Sequence, residues 1–211
     1  MADWKGAVPT KQEQREYKQR AMLRTAARIF NRKGFHNTSL EEIAKELGVT
    51  KAALYYYVRS KDELLYECLK LTYDCGRRAR YLAEEQGGSA LERFRTLYRQ
   101  FMINLMSEHG AYTTASDLQA LPEDQQQEFI SARRLFDHYS RNLLEEAVKE
   151  GALRQVDIRI ASNFFIGAIN WILRWHSDHE DHSPEEIADL YLDLFLNGLL
   201  PSSSRSGPSA A

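Results

Sequence analysis

The sequence predicts an all-α protein: a small helix-turn-helix head followed by a larger helical body. Three observations lead there. Apolar side chains recur at three- and four-residue steps from about residue 11 to residue 199, helix-start and helix-stop signals alternate along the same stretch, and no segment alternates in the two-residue period of a strand. With 211 residues and 43% apolar content, the chain can bury a core without staples.

Start signals are Ser-x-x-Glu capping boxes at Ser39/Glu42, Ser60/Glu63, Ser89/Glu92 and Ser183/Glu186, the last with Pro184 at the first helical position. Gly34, Gly48 and Gly151 stand where a left-handed residue would close a helix. Together they predict helices over 11–33, 40–47, 50–57, 60–86, 89–107, 122–150, 156–178 and 184–199, with a short or irregular stretch through 109–120. Phe129, Ala132, Phe136, Tyr139, Leu143 and Ala147 form one apolar stripe, and Ile187, Leu190, Tyr191, Leu194, Phe195 and Leu199 form another. Helix 156–178 is apolar on more than one face (Ile160, Phe164, Phe165, Ile169, Trp171, Ile172, Trp175), which makes it central or interfacial. Residues 1–10 and the Pro/Ser/Gly-rich 201–211 are expected to be disordered tails, leaving a head over 11–60 and a body over 61–200.

The formal charge of −2 hides an asymmetry: residues 1–66 carry a net +5 and the remainder −7. A basic head on an acidic body suits phosphate binding at the front and some other task behind. Cys68 and Cys75 lie seven apart on one helix, about two turns and too far to bridge, as expected of reduced thiols in a cytoplasmic protein. With no leader pattern and no uncharged run of membrane-spanning length, neither export nor a membrane partner is expected.

Residues 39–58, SLEEIAKELGVTKAALYYYV, carry the densest signal. Ile43, Ala44 and Leu47 make one short apolar face, Val49, Ala53 and Leu54 another, and Gly48 sits between them. Thr50 stands as the N-cap of the second helix, its hydroxyl and the free backbone N–H groups facing a phosphate. Lys51, Ala52, Tyr55 and Tyr56 are then the exposed set: lysine reaches guanine or phosphate, alanine a thymine methyl, and the phenols phosphates. Packing aromatics are the plainer reading of Tyr55–Tyr57, but successive helical side chains diverge by about 100°, so at least one is displayed.

From about Ala26 to Leu65, AARIFNRKGFHNTSLEEIAKELGVTKAALYYYVRSKDELL strongly resembles the DNA-binding domain of the TetR family of bacterial regulators. The resemblance rests on Gly34-Phe35, Thr38-Ser39, the Leu54-Tyr55-x-Tyr57-Val58 run and Lys61-x-x-Leu64; the family often has His or Tyr where Tyr57 stands and Phe where Val58 stands, so Val58 is the departure. It implies Thr38, Ser39, Thr50, Lys51, Ala52, Tyr55, Tyr56 and Lys61 as DNA-contact positions. It further implies a homodimer on double-stranded palindromic DNA, repression by default, and a small-molecule effector that swings helix 60–86 like a lever.

A reader this short needs two copies about 34 Å apart for specificity, so helices 156–178 and 184–199 are expected to pair with their symmetry mates in a four-helix bundle. The effector pocket is expected among helices 89–107, 122–150 and 156–178, with Phe101, Asn104, Leu105, Phe136, Tyr139, Phe165, Asn170, Trp171 and Arg174 as lining residues. For each of the aromatics, plain core packing is the more ordinary reading. The apolar walls suggest an apolar ligand, and Asn170-Trp171 with Arg174-Trp175 weakly resembles the helix of family members that respond to acyl-CoA thioesters.

His176, His179 and His182 have a spacing that could hold a divalent metal and make a metal-responsive regulator. A solvated helix end explains them more simply, and no metal or cofactor is expected. There is no phosphate loop, nucleophile elbow or H-E-x-x-H, so no enzyme is expected. A helical scaffold that never touches DNA would leave the basic front and displayed tyrosines unexplained.

Overall fold

The computed structural model describes residues 9–107, 115–176 and 181–199. The expected tails fall almost wholly outside these residues, as do His109, His179 and the side chain of Arg174. Helices run in the order α1 (Lys11–Lys33), α2 (Leu40–Glu46), α3 (Lys51–Tyr55), α4 (Lys61–Gln86), α5 (Ala90–Ser107), a 3-10 turn (Ala115–Ala120), α6 (Glu123–Lys149), α7 (Ile158–Trp175) and α8 (Pro184–Asn197). Among the described residues there is no strand, and no helix is long and apolar enough to cross a membrane.

All four start signals cap their helices, but only two of the four form the full box that the spacing predicts. Ser89 and Ser183 exchange reciprocal bonds with Glu92 and Glu186. Ser39 and Ser60 accept from the N–H groups of Glu42 and Glu63, but those two carboxylates are drawn elsewhere, Glu42 to Lys33 and Glu63 to the Arg59 N–H. Thr10, beyond the expected limit of order, makes a full capping box with Glu13. Gly48, at φ 67°, supplies the left-handed residue that lets α2 turn into α3.

Two apolar clusters hold the chain together. The front cluster joins Met22, Ala26, Phe30, Phe35, Ile43, Ala44, Leu54 and Val58 to Leu64, Leu65, Cys68 and Leu69 of α4, and also takes in Leu118, Leu121 and Phe129. The head's core therefore does not stop at residue 60; α4 and the start of α6 complete it. The rear cluster surrounds α5, with Phe94, Tyr98, Leu97, Phe165, Ile169 and Phe195 at its centre. Phe165 and Phe195 stack at 4.2 Å, and the buried Tyr98 hydroxyl donates to Ser140 at 3.1 Å. Cys68 and Cys75 are free and buried, the first pushed far above the usual thiol range by desolvation.

Candidate nucleic-acid interface and ligand cleft

On the reader, α3 presents Lys51, Ala52, Tyr55 and Tyr56 to solvent, with Tyr56 70% exposed, while Leu54 alone in this helix is buried. Tyr57 turns inward against the front cluster. Val49 and Ala53, expected on the apolar face, are exposed instead, Val49 before the helix begins and Ala53 beside Leu54, the one buried anchor of α3. Thr50 caps α3 by accepting from the Ala53 N–H at 3.3 Å. Lys51 forms an ion pair with Glu41 of α2, which holds the Glu41 carboxyl below and the ammonium above their ordinary ranges.

Two of the expected contact residues are held inside the fold. Thr38 is 3% exposed, its hydroxyl donating to the Gly34 carbonyl at 2.9 Å, so its side chain is not displayed. Ser39 beside it is exposed and caps α2. The Lys61 ammonium donates to the Phe35 and Thr38 carbonyls at 3.0 and 2.9 Å and sits 4.2 Å from the Phe35 ring centroid. This ties the first turn of α4 to the α1–α2 turn. Ammonium has three donors, so one remains for a phosphate.

In the body, a cleft of about 450 Å³ opens between α4 and α6. Leu69, Tyr73 and Gly76 of α4 face Phe129, Ala132 and Phe136 of α6; Phe101, Leu118, Ile166 and Asn170 close the remaining sides. The walls belong to both cores: Leu69, Leu118 and Phe129 lie in the front cluster, while Phe101, Phe136 and Ile166 lie in or against the rear one. Gly76 lets the Phe136 ring close on the α4 backbone, because a Cβ there would meet that ring at 3.1 Å. Charged groups also line it, with Arg77 bonded to Asp74 at 2.8 Å and Arg133 paired with Asp137 at 3.7 Å. Burial raises the Asp137 carboxyl above its ordinary range despite Arg133 and Arg141 nearby.

The cleft is displaced from its expected place. Of the expected lining residues, Phe101, Phe136 and Asn170 are there. Leu105 and Phe165 are core, and Tyr139 is half-buried beneath the Arg80 guanidinium. Asn104 is turned to the Cys75 carbonyl and to Gln100. Trp171 is 60% exposed on α7. The wall that sequence reading missed is α4, whose apolar stripe carries the same signal whether it packs or borders a void.

Around this cleft α4 is tied to α6, and the head's His36 to the 3-10 turn. Tyr66 of α4 donates to Glu128 of α6 at 3.1 Å, Tyr73 stacks on Phe129 at 4.9 Å, and His36 lies 3.8 Å from Asp117.

Residues 22–68 match the family profile for "Bacterial regulatory proteins, tetR family", and residues 87–199, more than half of the chain, match that for "Tetracyclin repressor-like, C-terminal domain". The chain belongs to the TetR family. It is accordingly a transcriptional regulator with a DNA-binding helix-turn-helix, in a family of regulators rather than enzymes. The HTH-type transcriptional repressor KstR2 of Mycolicibacterium smegmatis is 25% identical over 86% of this chain and 90% of its own. The TetR family regulator PfmR of Thermus thermophilus superposes with a TM-score of 0.62 at 27% identity, over 83% of this chain and 97% of its own. AibR, crystallised with isovaleryl coenzyme A and operator DNA, shares the fold at a TM-score of 0.64 and 24% identity, over 85% of this chain and 98% of its own.

Proposed function

We propose that this TetR family regulator is a homodimeric repressor that leaves a palindromic operator when an amphipathic small molecule, an acyl-CoA thioester in particular, enters the α4–α6 cleft. The position of the cleft carries the reading. A ligand there touches the front core through Leu69, Leu118 and Phe129 and the rear core through Phe101 and Phe136, so any change in the α4–α6 spacing alters how head meets body. Only a ligand that binds the altered arrangement better can shift the population towards it. α4 carries Lys61 at its far end, bonded to the α1–α2 turn, so its tilt moves the reader with it.

The aromatic walls suit an apolar chain, and Lys70, Arg77, Arg80 and Arg133 suit anionic groups at the rim. AibR, with the same fold, supports the thioester class by its bound isovaleryl coenzyme A. Thr50, Lys51, Ala52, Tyr55 and Tyr56 are the DNA-facing set, with Ser39 and Lys61 flanking. Dimerisation is assigned to α7 and α8, where Ile160, Phe164, Trp171, Leu190 and Leu194 are all more than half exposed. Gly167 leaves open space between Phe164 and Trp171 for a close helix crossing.

The test is a titration of the protein against its own upstream DNA, beside a Lys51→Ala/Tyr55→Ala variant. Binding to a palindrome by the wild type, loss in the variant, and release by acyl-CoA thioesters of increasing chain length are expected. Binding that prefers no fragment would overturn the repressor reading, and release by none of the thioesters would overturn the effector class.

A further inference from the structure

The core-facing stripe of α1 runs through Met22, Ala26 and Phe30, and traced backwards at helical spacing it passes Gln19 and reaches Arg15. Buried side chains begin only at Met22; Lys11–Lys18 are exposed throughout. No apolar burial holds this half of the helix. It is ordered instead by the Thr10–Glu13 capping box, a 2.7 Å Gln12–Glu16 bond, and the Arg15 guanidinium lying 5.5 Å from the centroid of the Tyr56 ring. Tyr56 belongs to the exposed face beside α3, so the N-terminal half of α1 leans over the end of the reader. Its cations, Lys11, Arg15, Lys18 and Arg20, outnumber Glu13 and Glu16. All of them precede residue 22, where the family profile begins.

Of the cations on and beside the reader, Lys51 is paired with Glu41 and Lys61 gives two of its three donors to carbonyls. Arg15 has no carboxylate partner among the described residues. A guanidinium can lay its face on an aromatic ring while its in-plane N–H groups remain directed at a phosphate, so stacking on Tyr56 does not compete with anion binding.

We propose that the first half of α1 is a second DNA-contacting element, in which Arg15 binds a backbone phosphate flanking the bases met by α3 and holds Tyr56 against the same strand. This rests on the DNA-binding reading of α3. Because the contact is to phosphate, it adds affinity without base preference and lies outside the bases α3 reads.

The test uses the full chain and the duplex that the wild type selects from a random-sequence library, titrated from low to high salt for wild type, Arg15→Ala and Arg15→Lys. Arg15→Ala is expected to weaken binding and to reduce the slope of log affinity against log salt by about 1.8, the value for two phosphate contacts, one from each protomer of the dimer. Between about 50 and 200 mM salt the wild-type dimer would then lose roughly tenfold more affinity than the variant. Arg15→Lys is expected to keep the slope while binding less tightly, since it keeps the charge and loses the planar stack. Arg15 is exposed, and matching circular dichroism spectra will show that the variants are folded. Wild-type affinity and slope in Arg15→Ala would overturn the proposal, as would weaker binding with an unchanged slope, which would reduce Arg15 to a prop for Tyr56. A wild type that selects no duplex would overturn the reading of α3 itself, an outcome seen before any variant is compared.

Discussion

At Lys61 a charged side chain folds back onto its own domain, because the turn between α1 and α2 leaves the carbonyls of Phe35 and Thr38 facing the first turn of α4. Hydrogen bonds from a charged donor stabilise more than neutral ones, and removing the donor leaves two acceptors without it. Lys61→Met keeps the stem and removes the donor, and is expected to destabilise the protein by about 2 kcal/mol while weakening operator binding. Urea denaturation checks the first effect; an unchanged midpoint would show that these bonds do not hold the head together. Thr38 teaches the converse lesson. A family motif places it beside Ser39 at the DNA, yet its hydroxyl closes the turn against Gly34 and only its neighbour is displayed. For the three tyrosines, helical geometry requires at least one to be exposed, and the fold exposes Tyr55 and Tyr56 while packing Tyr57.

At the scale of elements, α4 has the largest number of tasks. Its first turns complete the head's core, its middle walls the cleft, and its later turns pack on α5. Gly76 sits where the second task is decided. Glycine in a helix costs about 1 kcal/mol against alanine, so its presence here is compensated by the approach of the Phe136 and Phe101 rings to the α4 backbone. Gly76→Leu restores helix propensity while filling the cleft. It is expected to preserve operator binding and weaken effector release about tenfold or more, the size of a moderate overpacking penalty. A release titration checks this, and wild-type release would mean that the effector binds elsewhere.

At the scale of the molecule, the exposed faces of α7 and α8 are too apolar for a surface left in water. In the proposed dimer, pairing them with a second copy would place two readers on one duplex and turn two weak contacts into one strong one. Phe164→Glu with Leu194→Glu is expected to give a folded monomer, since neither side chain contributes to the buried cores, and to lower operator affinity by about two orders of magnitude. Sedimentation and DNA titration check both halves; a dimer that survives would place the interface elsewhere.

Helix limits, caps, the helix-turn-helix and the exposed apolar faces were legible in the sequence because each depends on residues within a turn or two of one another. The Ser-x-x-Glu starts and Gly48 are local chemistry, and Leu40–Glu46 with Lys51–Tyr55 follow from them almost residue for residue. The cleft was not legible in the same way. Phe101, Phe136 and Phe165 carry the same apolar signal, and only packing decides that the first two border a void while Phe165 stacks on Phe195 inside the core. The tie from Lys61 to the α1–α2 turn and the stack of Arg15 on Tyr56 join residues 23 to 41 positions apart, separations at which no periodicity acts. The sequence by itself determined which segments are helical and which face of each is apolar, because those follow from short-range propensity and period. Tertiary structure alone decided which apolar faces meet, where they fail to close, and which charges remain available, because those depend on how helices distant in the chain approach one another.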